Sequence, residues 1–425
     1  MGNRYEIILN KLKELPVLDV HSHINVDCPQ ASSIEDIIFY HFIRRELYSA
    51  GYSDDNYLMS DTPIEDRMST FFQYLPQVEN TATFWCVKKI LGDLYQVPGG
   101  EITQQNWRNI QQKIERNKTD PSWLQEVIKR CQLERSLCCE KLWKKESLER
   151  HPFLTPLYED LNRLSFDPTR ATSLDDLIID VYGLIPDNIF SLEEYIYKYI
   201  NDSIMDNISY FTAFISSEFR IDKNSSAKTN DIYKKKHSGK KLTVEERNIL
   251  VNKLLYCYLS ALQSFGVPAQ FVIGAYWARE GMRYGESYVE TNHTFIKDLV
   301  VICKEFNQVR FSLMYASHAL SQEVTILSRM LPNVSILGFW WHTLFPTFIE
   351  RIIFERLEAL PANKWIAIAT DSYCIEWAYA KLNLVLHSLA KVLCEKIDEG
   401  YFTEKKALWI AHKILYQNSK DIYEL

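Results

Sequence analysis

Short apolar runs punctuate the chain, and each is followed by a longer stretch with apolar residues at helical spacing. The clearest runs are Pro16–Val20 (PVLDV), Ala269–Gly274 (AQFVIG), Val309–Tyr315 (VRFSLMY), Val334–Phe339 (VSILGF) and Trp365–Thr370 (WIAIAT). Leu133–Cys139, Phe153–Tyr158 and Tyr210–Ser216 carry the same signal more weakly. Near-continuous apolar strands belong to a parallel sheet covered on both faces. The intervening HALSQEVTILSRML and TLFPTFIERIIFERLEAL repeat apolar residues with helical period and supply that cover. Eight such strand–helix units predict an α/β fold, a (β/α)₈ TIM barrel spanning residues 1–425. The alternation by itself also allows a doubly wound open sheet.

Two stretches interrupt the alternation. Residues 25–130 read as helical and aromatic throughout (FFQYLPQ, TATFWCVKKILGDLYQ), which predicts a helical insertion subdomain after the first strand. Residues 222–248 are polar and locally basic (KKKHSGKK) and predict a solvated loop leading into a helix. The whole chain of 425 residues carries a net charge of −7, which argues against a general nucleic-acid binder. No run approaches the ~18 apolar residues of a membrane span. The opening MGNRYEIILNKLKELP reads as an amphipathic helix rather than a signal peptide. Nine scattered cysteines suit reduced thiols, so a cytoplasmic protein is expected.

The sharpest chemical signal is Asp19-Val20-His21-Ser22-His23. Strand alternation puts His21 and His23 on one side, where two imidazoles can grip one divalent cation. Two polar residues ending a strand would look the same. The second signal is Asp371, directly after the apolar run WIAIAT, where barrel active sites lie. It can ligate a cation and move protons, or it can simply cap the next helix.

Several pieces, taken in order, resemble the uronate isomerase (glucuronate isomerase) family, a branch of the metal-dependent amidohydrolase superfamily. They are PVLDVHSH from Pro16 to His23, YHFIRREL from Tyr40 to Leu47, QFVIGA from Gln270 to Ala275, Phe339-Trp340-Trp341 and Thr370-Asp371-Ser372. The resemblance implies a barrel of the metal-dependent hydrolase type and an aldose–ketose isomerisation of D-glucuronate or D-galacturonate in carbohydrate catabolism. It implies one divalent metal ion, zinc first, with manganese or iron also suited, held by His21, His23 and Asp371. Asp371 would then shuttle the proton, with His21 essential to catalysis through the metal. Trp340 and Trp341 would floor the sugar site, although a bare tryptophan pair also suits plain core.

Four positions depart from the family pattern. Phe42 stands where a tyrosine is usual, Tyr373 and His318 where arginines are usual, and Val272 where many members carry a histidine. Arginine clamps a carboxylate with a planar fork of donors that tyrosine and histidine lack. Tyr373 and His318 are therefore expected to touch substrate in another way. Arg279 and Arg283, after the fifth strand, are candidate replacement cations, and Arg44 or Arg45 can reach in from the insertion. His342 is a further candidate beside Trp341. The expected partner is a small sugar acid, with neither nucleic acid nor membrane, and a homo-oligomer is left open. Three classes fit: a uronate-type isomerase, a diverged metal-dependent hydrolase, and a non-catalytic ligand-binding descendant.

Overall fold

The computed structural model describes residues 2–52, 62–139, 149–161, 163–170, 173–208, 210–222, 228–276 and 288–425. Seven parallel strands curl into one sheet: β1 (Val17–Ser22), β2 (Leu133–Cys139), β3 (Leu154–Glu159), β4 (Phe211–Ile215), β5 (Ala269–Ile273), β6 (Phe311–Tyr315) and β7 (Val334–Ile336). Each pairs with the next in chain order. Typical registers are Leu137 opposite Thr155 between β2 and β3, and Ala269 opposite Phe311 between β5 and β6. A two-residue strand, Ser165–Phe166, also lies along the end of β4.

The eighth apolar run closes the barrel without forming a regular strand. Its Trp365 and Ile368 bridge to Ile336 and Phe339. On its other side Val20 N donates to Ile368 O at 3.3 Å, Asp371 N to His21 O at 2.8 Å, and His23 N to Ser372 O at 2.8 Å. Gly338 makes this seam possible. A Cβ there would sit 2.1 Å from the Ala367 carbonyl oxygen, so only glycine lets the two backbones approach. The eight apolar runs read from the sequence thus occupy the eight staves of a TIM barrel. Most end within two residues of their expected limits, while β7 stops three residues early because its chain turns out to make this contact.

One apolar residue from each of β1 to β6 contributes to a compact cluster: Val20, Leu137, Leu157, Phe214, Val272 and Met314. Such layers fill a barrel interior. A much larger cluster binds the helices to the sheet's outer face.

Between β1 and β2 lie helices Glu35–Ile38, His41–Ser49, Ile64–Val78, Ala82–Lys89, Trp107–Asn117 and Pro121–Cys131. They are tied to the barrel's last helix, Ile375–Asp398, by the wholly buried Glu376. That carboxylate accepts from Ala31 N (2.9 Å), Tyr95 Oη (3.0 Å) and Trp123 Nε1 (3.1 Å). The polar stretch 222–248 differs from the expected loop. Thr229–His237 is helical, and another helix starts at Val244 with a capping box between Thr243 and Glu246. The reason is charge. Lys236 Nζ (2.8 Å) and His237 Nε2 (3.1 Å) both face Asp175, whose buried carboxylate requires a counter-charge that Lys236 supplies. No helix among the described residues is long and apolar enough to cross a membrane.

Candidate metal centre

The C-terminal ends of β1, β2, β3 and the eighth run meet at one mouth of the barrel, and each brings a polar side chain. β1 delivers His21 and His23, whose rings lie edge to face with centroids 5.2 Å apart. β2 ends on Cys139, β3 on Glu159, and the eighth run leads into Asp371. Ligand atoms of His21, His23, Cys139 and Glu159 all fall within 4.8 Å of one another. His23 Nε2 lies 3.2 Å from Glu159 Oε2 and 3.2 Å from Asp371 Oδ1. His21 Nε2 lies 3.8 Å from Glu159 Oε1 and 3.9 Å from Asp371 Oδ1. Donors around a tetrahedral zinc stand ~3.4 Å apart, given metal–ligand bonds of about 2.1 Å. These spacings therefore suit a small divalent cation, as does the donor chemistry.

A buried network aims the candidate donors. His21 Nδ1 contacts Gln270 Oε1 at 2.8 Å. The amide of Gln270 is oriented by its own nitrogen, which donates to Val20 O (3.1 Å) and Tyr423 Oη (2.9 Å). Thr212 Oγ1 donates to the same Oε1 at 2.6 Å. An amide oxygen only accepts, so His21 carries its proton on Nδ1 and offers the Nε2 lone pair to the mouth. Asp19, one strand period before His21, faces backwards instead. It accepts from Thr370 N (2.9 Å), Thr370 Oγ1 (2.6 Å) and Ser136 Oγ (3.2 Å), and so locks the eighth run against β1 and β2.

Asp371 adopts φ +53°, in the left-handed region, which aspartate tolerates better than most residues. The buried Lys381 holds this turn by donating to Thr370 O (2.6 Å), Asp371 O (3.1 Å) and Tyr40 Oη (2.7 Å). Tyr40 Oη in turn donates to Asp371 O at 2.8 Å. Burial opposes the charge on Asp371, but the hydrogen bond to His23 and the Lys381 charge outweigh it and keep the carboxyl well below its usual range. Burial, with Glu159 nearby, holds the Cys139 thiol well above its ordinary value, hence protonated.

Burial would also discharge His23, yet Glu159 and then Asp371 overcome it and push its pKa up to about 9. In the metal-free protein His23 is therefore cationic at neutral pH, and a cation must displace its proton. Zinc or cobalt affinity is expected to rise with pH, by about tenfold per unit, and to level off near pH 9. Calorimetric titration across neutral and mildly alkaline pH reads this slope. A flat profile would take His23 out of the ligand set.

The other candidates are spread around the mouth. Tyr373 is half exposed and stacks on His23, with centroids 5.2 Å apart and planes 17° off parallel. Beside it opens a cleft of about 770 Å³ whose lining includes His23, Tyr40, His41, Arg44, Arg67 and Tyr373. Burial holds His41 well below its usual pKa, hence neutral. Trp340 meets His21 edge-on at 6.4 Å, and Trp341 lies under Arg45 at 5.7 Å. Trp341, Phe42, Arg45 and His342 line a second, smaller cavity. His318 stacks on Phe348 at 4.5 Å. Val272 is buried in the barrel's apolar interior. Arg279 and Arg283 lie outside the described residues.

Sequence reasoning missed Glu159, Cys139, Gln270 and Lys381. Glu159 carried a legible signal, an acid directly after an apolar strand, the same one that marked Asp371. Nothing in the sequence marked Cys139, one of nine scattered cysteines.

No protein-family model matches the sequence. Protein fluG of Emericella nidulans is 25% identical over 138 residues, which is 32% of this chain and 16% of that protein. The chain thus spans a small part of the curated relative it matches. Solved structures match along nearly the whole length. Uronate isomerase from Thermotoga maritima superposes with a TM-score of 0.84 at 15% identity, covering 100% of this chain and 98% of that one. Glucuronate isomerase from Caulobacter crescentus gives 0.83 at 13%, covering 99% and 94%. A uronate isomerase from Bacillus halodurans gives 0.72 at 16%, covering 100% and 97%. The chain has the barrel fold of the uronate isomerases.

Proposed function

We propose that this protein is a metal-dependent aldose–ketose isomerase of the uronate isomerase kind, acting on D-glucuronate, D-galacturonate or a related sugar acid. One observation carries this reading: His21, His23 and Asp371 converge at the active end of a barrel with that fold, beside an open polar cleft. A divalent cation bound there supplies positive charge for a substrate oxygen that becomes anionic. Zinc suits this donor set best, and manganese or iron also fit. Isomerisation moves one proton from C2 to C1 and one from the C2 hydroxyl to the C1 oxygen, while the carbonyl passes from C1 to C2. Asp371, kept ionised and fixed by the Lys381–Tyr40 clamp, takes the C2 proton and returns it to C1. Trp340 backs the site at His21, Trp341 lines the neighbouring cavity with Arg45, and Tyr373 offers an aromatic face and a hydroxyl at the rim. The nine free cysteines suit a reducing cytoplasm as the setting.

A second reading is a metal-dependent hydrolase of the same fold. It is favoured by Tyr373, whose ring covers His23 where the resemblance implies a carboxylate-binding arginine. The two are separated by incubating zinc- or manganese-loaded protein with D-glucuronate and D-galacturonate and following the ketose. In the isomerase reading, Tyr373→Arg combined with Phe42→Tyr raises turnover of these acids at least about tenfold, the worth of one charged hydrogen bond. A folded, metal-loaded double variant with no gain would move the weight to hydrolysis of lactones or amides.

A further inference from the structure

Three ligands leave a divalent cation at this mouth short of a closed protein shell, and two side chains stand near enough to complete it, Glu159 and Cys139. Their positions are not equivalent. His21 binds through Nε2, because Nδ1 is committed to Gln270. An atom that shares a cation with Nε2 must lie in front of that nitrogen, clearly nearer to it than to Nδ1. Cys139 Sγ is 3.9 Å from Nε2 and 3.8 Å from Nδ1, so it sits beside the ring rather than before the lone pair. Glu159 is placed differently. Its two oxygens face the two ligating nitrogens, Oε1 towards His21 at 3.8 Å and Oε2 towards His23 at 3.2 Å. Asp371 Oδ1 faces the same pair from the eighth run at 3.9 and 3.2 Å. The two carboxylates therefore approach the imidazole pair with matching spacings.

We infer that Glu159 is a fourth metal-ligating residue, making a two-histidine, two-carboxylate centre, and that Cys139 stays outside it. This rests on the metal reading above and specifies it. Two carboxylates balance the charge of a divalent cation, and a set without sulfur does not restrict the site to thiophilic metals. Substrate would then add as a fifth donor, from the side of the cleft next to Tyr373.

Cobalt(II) is the probe, added to protein freed of metal by a chelator, with absorption spectra and chelator competition as readouts. Wild type is expected to bind one cobalt per chain without a sulfur-to-cobalt charge-transfer band. Glu159→Gln, nearly isosteric, is expected to lose at least about tenfold in cobalt affinity while keeping its circular dichroism. Cys139→Ser is expected to bind within about threefold of wild type, a change too small for a lost ligand. Cobalt bound equally by wild type and Glu159→Gln overturns the assignment of Glu159 and leaves the metal reading standing. A charge-transfer band that vanishes in Cys139→Ser overturns the exclusion of the thiol. Wild type that binds no cobalt overturns the metal reading and this assignment together. Should Glu159→Gln fail to fold, Glu159→Asp, which shortens the reach but keeps the charge, must weaken cobalt binding for the inference to stand.

Discussion

His21→Ala is expected to yield a folded protein that retains no cation and has no isomerase activity. The imidazole is buried and supplies a donor that nothing nearby replaces, since Cys139 lies beside the ring and His23 already faces Glu159 and Asp371. Losing a direct ligand costs more than the 10–100-fold in metal affinity typical of residues one step removed, so purification should strip the site. The fold pays less. Gln270 Oε1 keeps Thr212 as a donor, and the lost hydrogen bond and packing cost about 1–3 kcal/mol. Metal analysis of the purified variant beside its denaturation midpoint tests both halves. One equivalent of tightly held cation in His21→Ala would refute the ligand assignment.

Gly338→Ala should be the most damaging single change to the barrel itself. The added methyl would meet the Ala367 carbonyl carbon at 2.3 Å and its oxygen at 2.1 Å, and the Ile366 oxygen at 2.8 Å. These are backbone atoms in the seam between β7 and the eighth run, so no rotamer can relieve the overlap. Overpacking in a core usually costs about 1–3 kcal/mol, and a clash with fixed backbone exceeds that range. The seam would open at the bridges from Ile336 to Trp365 and from Phe339 to Ile368, and Asp371 hangs from the same run. Expected results are a loss above about 3 kcal/mol in urea unfolding, or insoluble expression, with metal affinity reduced in any folded fraction. A variant as stable as wild type would mean that the seam is looser than its contacts imply.

The barrel was legible because it is written in local pattern. Each buried parallel strand must be apolar almost throughout, and that requirement marked all eight staves. The pair His21 and His23 was legible because strand alternation converts a spacing of two into a shared face. Asp371 was legible as an acid placed just after an apolar run, and Glu159 could have been read the same way, since β3 ends on it. Gln270 and Lys381 could not. Gln270 is one polar residue in an apolar strand, and only the closed barrel puts its amide against His21, 249 residues away. Lys381 lies on a long helix, where a lysine ordinarily faces water; it is buried here because three backbone and hydroxyl oxygens need a donor. The basic stretch near Lys236 misled for a related reason, as its partner Asp175 is 61 residues earlier.

The line from His21 through Gln270 to Tyr423 bears on how the centre comes into being. Its two links join side chains 249 and 153 residues apart. A cation held by His21 and His23 alone would meet two freely turning rings, and the remaining donors arrive from segments that must first find their places in the barrel. Contacts of such sequence separation form late and slowly. An ion bound there would therefore be a guest admitted after the barrel has assembled rather than a template around which it assembles. Metal can then be removed and exchanged in the native state, and metal scarcity in the cell would leave an intact but idle protein instead of an unfolded one.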